Sequence, residues 1–279
     1  MSIMTGWWEW CNDYYHRNDP RTSQFLFISG PIPVITIVGF YIYFSLSAGP
    51  RYMRNKKPYS LRKTLIIYNF FQVLFSLYLS YEGLSVWLNE YSWTCEPIDY
   101  SETPTAIRVI NAAHLYFLSK LSELLDTVFF VFRKKQRQIS FLHVYHHSIM
   151  PILTWFGVRY IAGGHPLLLG TFNSCVHVVM YIYYMLAAIG PQMQKYLWWR
   201  RYLTLLQITQ FIIVGSHSLN TLFSDCNVPK TLSFIIVLEC LIFTYLFGSF
   251  YITNHTKNNA NIATEEGAST DQFASQKID

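Results

Sequence analysis

Charge is what this chain has least of. Only 13% of its 279 residues are Asp, Glu, Lys or Arg, where a soluble domain carries about a quarter. A solvated globular surface is therefore excluded. The chain also lacks Gly-rich phosphate loops, internal repeats and nucleic-acid modules. Its N-terminus lacks the basic start and continuous apolar core of a cleavable signal peptide. Trp7, Trp8 and Trp10, with Glu9 and Asp13, read instead as an interfacial aromatic segment.

What is there is apolar. The chain is 52% hydrophobic and 18% aromatic, with a mean hydropathy of +0.20. Seven apolar segments run approximately Pro31–Ala48, Leu65–Trp87, Val109–Phe132, Phe141–Tyr160, Leu167–Ile189, Tyr202–Leu222 and Thr231–Ile252. Each is near the roughly 17–25 residues that span a bilayer. The expectation is an all-α integral membrane protein with seven transmembrane helices over 31–253. A lumenal N-terminal segment, 1–30, precedes it and a polar, disordered cytosolic tail, 254–279, follows.

Acids are absent from three loops. Loop 49–64 holds Arg51, Arg54, Lys56, Lys57, Arg62 and Lys63; loop 133–140 holds Arg133, Lys134, Lys135 and Arg137; loop 190–201 holds Lys195, Arg200 and Arg201. Glu90, Glu96, Asp99, Glu102 and Asp225 fall in the intervening loops. The positive-inside rule makes the basic loops and the C-terminus cytosolic and the N-terminus lumenal. The net charge of +5 thus suggests anionic headgroups or an anionic soluble ligand. Asn254-His255-Thr256 is a formal glycosylation acceptor that would face the cytosol unmodified. Cys95 and Cys226 lie in separate lumenal loops and are expected to pair, with Cys11 on the same side as a competitor and two free thiols as the alternative. Cys175 and Cys240 read as small intramembrane core residues.

Polar groups interrupt four apolar segments. Lys120, Glu123, Asp126 and Thr127 share one broad helix face, and His143, His146 and His147 share another at i, i+3, i+4. Asn173, His177 and Tyr181 form an i, i+4, i+8 stripe, and Thr204, Gln207 and Gln210 also follow helical spacing. At ~1.5 Å per residue, His146 and Gln207 lie roughly 8 Å, Glu123 roughly 14 Å and His177 roughly 18 Å from their cytosolic helix ends. Taken singly, each group could be an internally neutralised packing cluster or interhelical glue. Together on four helices they point to a cavity open to the cytosol. His114 and His217 read as ordinary core histidines.

A membrane di-iron desaturase or hydroxylase also uses a His-x-x-His-His element, but needs about eight histidines in several boxes with carboxylate partners. Of nine histidines here, only His143, His146, His147 and His177 lie in the right half. A seven-span receptor fits the topology, yet the Asp-Arg-Tyr type signature after the third span is missing and the cavity has no purpose in it.

Lys120-Leu-Ser-Glu123-Leu-Leu-Asp126-Thr127, His143-Val-Tyr-His146-His147, Asn173-Ser-Cys-Val-His177-Val-Val-Met180-Tyr181-Ile-Tyr183-Tyr184 and Thr204-Leu-Leu-Gln207-Ile-Thr-Gln210 resemble, in order, the four motifs of the fatty-acid elongase family. The likeness covers roughly 20–253. It implies an endoplasmic-reticulum very-long-chain 3-ketoacyl-CoA synthase, an acyltransferase in which six of seven helices enclose a narrow acyl tunnel. The implied reaction joins acyl-CoA and malonyl-CoA, releasing carbon dioxide and CoA, with neither cofactor nor metal.

By resemblance His146 accepts the acyl group and His177 is its opposite partner, polarising the substrate or relaying protons. His143, His147 and Asn173 orient the rings or stabilise the oxyanion, and Glu123 and Asp126 fix tautomers. Attack by a neutral imidazole and direct condensation with the histidines as general base both remain open. Lys120, Arg133, Arg200 and Arg201, with Tyr181, Tyr183, Tyr184, Gln207 and Gln210, are expected to hold CoA and substrate. Expected partners are the ketoacyl-CoA reductase, dehydratase and enoyl reductase of the cycle, and a second copy in a homodimer. Val144, where one medium-chain branch carries Trp, favours the saturated and monounsaturated very-long-chain branch. The C-terminal Ser275-Gln-Lys277-Ile-Asp279 departs from the family's dilysine retrieval signal.

Overall fold

A computed structural model describes residues 18–275, with side chains through Ile252 and Thr253. Cys11, the N-terminal tryptophans and the side chains of the Asn254 sequon lie outside the described residues. Eight helices form the body: α1 (Pro31–Met53), α2 (Arg62–Asn89), α3 (Pro104–Ser122), α4 (Leu124–Phe132), α5 (Phe141–Tyr160), α6 (Leu167–Ile189), α7 (Arg200–Phe223) and α8 (Lys230–Ser275). Among the described residues there is no strand.

Local chemistry sets the ends. Thr103 caps α3 by accepting from the Ala106 amide at 3.3 Å, and Pro104 opens the helix where its missing N–H is harmless. Ser140 caps α5 through the His143 amide at 3.2 Å. Gly190, at φ +120°, ends α6 in backbone space that a side chain would strain. Arg62 then donates to the Ile189 carbonyl.

α1, α2, α6 and the first 24 residues of α8, Lys230–Thr253, are each long and apolar enough to cross a membrane. The described residues are all-helical, and the chain is a multi-pass membrane protein. The remaining apolar segments also form helices, but buried polar residues dilute their hydropathy. Large apolar side chains face outward, including Ile67, Leu88, Leu241 and Tyr245, as a lipid-facing surface requires.

Two particulars differ from the sequence reading. The span expected over Val109–Phe132 is broken at Glu123, between α3 and α4. Tyr68 and Gln72 of α2 pin that break by bonding the Ser122 carbonyl and hydroxyl at 3.2 and 2.9 Å. The polar stretch from Asn254, read from composition as disordered, continues the α8 backbone to Ser275. Extending an existing helix avoids a second nucleation, which is the costly step.

α2 packs along α6, α8 along α7, and α5 against α3 and α1. Cys95 and Cys226 are disulfide-bonded, with their Cα atoms 5.6 Å apart. The bond ties the α2–α3 connection to the α7–α8 connection.

Candidate active site

The centre of the site is a buried ion pair on the broken helix. Lys120 Nζ donates to Glu123 Oε1 at 2.7 Å, and both residues are almost inaccessible, at 2% and 3% exposure. Burying two charges is unfavourable unless each is fully satisfied. Lys120 also donates to Asn173 Oδ1 at 2.8 Å and sits 4.8 Å from the centre of the Tyr116 ring. Tyr116 donates to that same amide oxygen at 2.9 Å.

His177 completes the group. Its Nδ1 lies 3.1 Å from Glu123 Oε1 and 3.5 Å from Lys120 Nζ. The carboxylate is the closer of the two and can only accept, so it is the partner that fixes the ring. Glu123 as acceptor requires the proton on Nδ1, which leaves Nε2 with a free lone pair. Nearby, Tyr181 donates to Asp126 Oδ2 at 2.9 Å, and both are buried. Asp126 therefore orients Tyr181.

The three histidines of α5 stand together. The His143 and His147 rings are 4.2 Å apart, and His146 meets His147 edge-on at 5.1 Å. His143 Nε2 is 2.7 Å from Thr127 Oγ1. His146 also packs on Phe243 of α8 at 5.3 Å.

A cavity of about 310 Å3 reaches His146 and Asn173. Its walls come from α2, α3, α5, α6, α7 and α8, and they are overwhelmingly apolar. The α5 lining includes one stripe along the helix, His146, Met150, Leu153 and Gly157. Residues eleven apart on a helix return to nearly the same face, so Gly157 stands under His146 at roughly 16 Å. A Cβ on Gly157 would meet no heavy atom within 4 Å.

The residues expected at a CoA mouth divide. Lys120 and fully buried Tyr181 are committed to the inner network. Arg200 and Arg201 are exposed, Arg133 is half-buried, and Tyr184 is partly exposed beside Tyr183, which rests on Trp199 at 5.1 Å. Gln207 donates to Met180 Sδ at 3.7 Å, while buried Gln210 lines the cavity.

Some contributors escaped the sequence reading. Tyr116 is one turn before Lys120 and shares its face, so helical spacing carried the signal. Glu239 is a carboxylate inside an apolar span, accepts from Tyr145 at 3.0 Å and lines the cavity. An acid at such depth is itself a flag. Among the described residues, no cluster of His, Cys, Asp or Glu is arranged to hold a metal.

Residues 26–263 match the family described as ELO, GNS1/SUR4 family. The chain belongs to this family. Over 247 residues it is 49% identical to very long chain fatty acid elongase 7 of Rattus norvegicus, covering 86% of each chain. It is 44% identical over 262 residues to very long chain fatty acid elongase 7 of Drosophila melanogaster, covering 93% of this chain and 80% of that one. A very long chain fatty acid elongase of Aedes aegypti is 46% identical over 251 residues, covering 88% and 70%. The region matched to the ELO family contains every residue that lines the cavity.

Proposed function

We propose that this chain is the condensing enzyme of fatty-acid elongation, joining an acyl-CoA to malonyl-CoA to give a 3-ketoacyl-CoA, carbon dioxide and CoA. The observation that carries the reading is His146 at an apolar cavity also lined by Asn173, whose amide oxygen is joined through Lys120 to Glu123 and on to His177, 3.1 Å from that carboxylate. An apolar cavity that ends at an imidazole suits a thioester on a long hydrocarbon chain.

In this reading the His146 ring nitrogen attacks the thioester carbon. The tetrahedral intermediate expels CoA thiolate, which takes up a proton, and the acyl group stays on the imidazole. Splitting one hard displacement into two easier ones is the gain of such an intermediate. Malonyl-CoA then loses carbon dioxide, and its enolate carbon attacks the acyl carbon. His146 leaves and the 3-ketoacyl-CoA forms. His177, with Nε2 open, handles the proton that moves at the thioester and enolate oxygens. Lys120 belongs to the same machinery as the counter-charge that keeps Glu123 ionised and His177 in one tautomer. The phosphates of CoA fall to Arg133, Arg200 and Arg201.

The full arrangement would be seven spans in the endoplasmic reticulum, with the N-terminus lumenal and the basic loops cytosolic. The product would pass to a ketoacyl-CoA reductase. Microsomes carrying the chain should convert a long-chain acyl-CoA and labelled malonyl-CoA to a two-carbon-longer 3-ketoacyl product. His146→Ala should abolish this at unchanged protein level. Persistent incorporation in that variant would overturn the histidine reading.

A further inference from the structure

α1 contributes no residue to the cavity lining, yet one of its side chains reaches the histidine cluster. The Tyr41 hydroxyl is 2.9 Å from Thr127 Oγ1, which is in turn 2.7 Å from His143 Nε2. Both intermediate groups are shut away from solvent, Tyr41 at 4% and Thr127 at 0% exposure.

The helix is shaped at this point. Past Tyr43 the α-ladder of α1 gives way to a π turn over Phe44–Ala48. Such turns are rare and occur frequently at functional sites. Gly49 follows, and a Cβ there would stand 2.7 Å from Val131 Cγ1. The missing side chain lets α1 seat on α4, the helix that carries Thr127.

A phenol is more acidic than an aliphatic hydroxyl and is the better donor of the two. With Tyr41 donating to Thr127, the single Thr127 proton is free to go to His143 Nε2. That ring then carries its own proton on Nδ1 and holds one plane against His147, its neighbour at 4.2 Å. We propose that Tyr41 is a positioning residue of the condensation, fixing the tautomer and ring plane of His143 through Thr127. This rests on the elongase reading given above.

The test is steady-state elongation by the full-length protein in detergent. Tyr41→Phe and Thr127→Val should each lower kcat roughly threefold to tenfold, the effect of one hydrogen bond, with KM little changed. The double variant should lose no more than either single one, because the two side chains act as one chain. Thr127→Ser should recover most of what Thr127→Val loses. A kcat equal to the parent's in Tyr41→Phe, or losses that multiply in the double variant, overturns the assignment. Should Tyr41→Phe not survive extraction, equal kcat in Thr127→Val and Thr127→Ser overturns it. An unmodified chain that elongates nothing brings down the elongase reading itself, so the two failures are distinct.

Discussion

Lys120 Nζ and His177 Nδ1 converge on a single oxygen, Glu123 Oε1, at 2.7 and 3.1 Å. One carboxylate oxygen thus joins a cation on α3 to an imidazole on α6, at the very residue where the α3–α4 helix breaks. Removing one partner of such a buried pair leaves the other charge without compensation, at about 3–5 kcal/mol. Glu123→Gln should therefore lower the melting temperature in detergent markedly. Lys120→Met combined with Glu123→Gln should recover part of the loss, which a thermal double-mutant cycle reads directly.

Cavity length should set product length. Gly157→Phe places a ring in open space below His146. Profiling the variant across a saturated acyl-CoA series should show the longest substrates lost and shorter ones retained. An unchanged profile would show that the acyl chain does not run along the α5 stripe.

The disulfide end should be acid-sensitive. His165, in the α5–α6 connection, stacks on His217 with ring centres 3.8 Å apart and planes within 2°. Burial, and then the neighbouring His217, push its pKa down to about 4. An unfolded His takes up its proton near pH 6.5, so the unfolded chain binds more protons than the folded one below that pH. Stability is full above about pH 6.5 and falls as pH drops towards 4. Melting curves at pH 7.5 and 5 should differ, and His165→Gln should flatten the difference.

Cys95→Ser should lower stability by about 2–5 kcal/mol without touching the cavity. Thiol counting under denaturing, non-reducing conditions should show Cys95 and Cys226 protected, and Cys175 and Cys240 reactive.

The sequence made the helices and the histidine face legible because hydrophobic runs and i, i+3, i+4 spacing are local properties. Depth along each helix put Glu123, His146 and His177 in the same half of the membrane without any knowledge of packing. The break at Glu123 was not legible, since Ser122, Glu123 and Leu124 contain no helix breaker and the pin comes from Tyr68 and Gln72 on another helix. Lys120 was expected near phosphate because its charge is visible and its partners, Asn173 and Tyr116, are brought to it only by tertiary contact. Tyr41 was hidden for a similar reason: in an aromatic-rich first span, one phenol looks like any other.

The two flanks of the cavity are built differently. At Gly83 the α2 backbone lies against Thr171 of α6 so closely that a Cβ would overlap the Thr171 hydroxyl. That flank is backbone against a short side chain that is held by its hydrogen bond to the Leu167 carbonyl at 2.8 Å. Between α5 and α8 the closure is made by Tyr145, Glu239 and Phe243, side chains with rotamers to spare. A bulky inhibitor will therefore find its room on the α8 side: scaffolds should grow towards Phe243, and resistance substitutions should gather there.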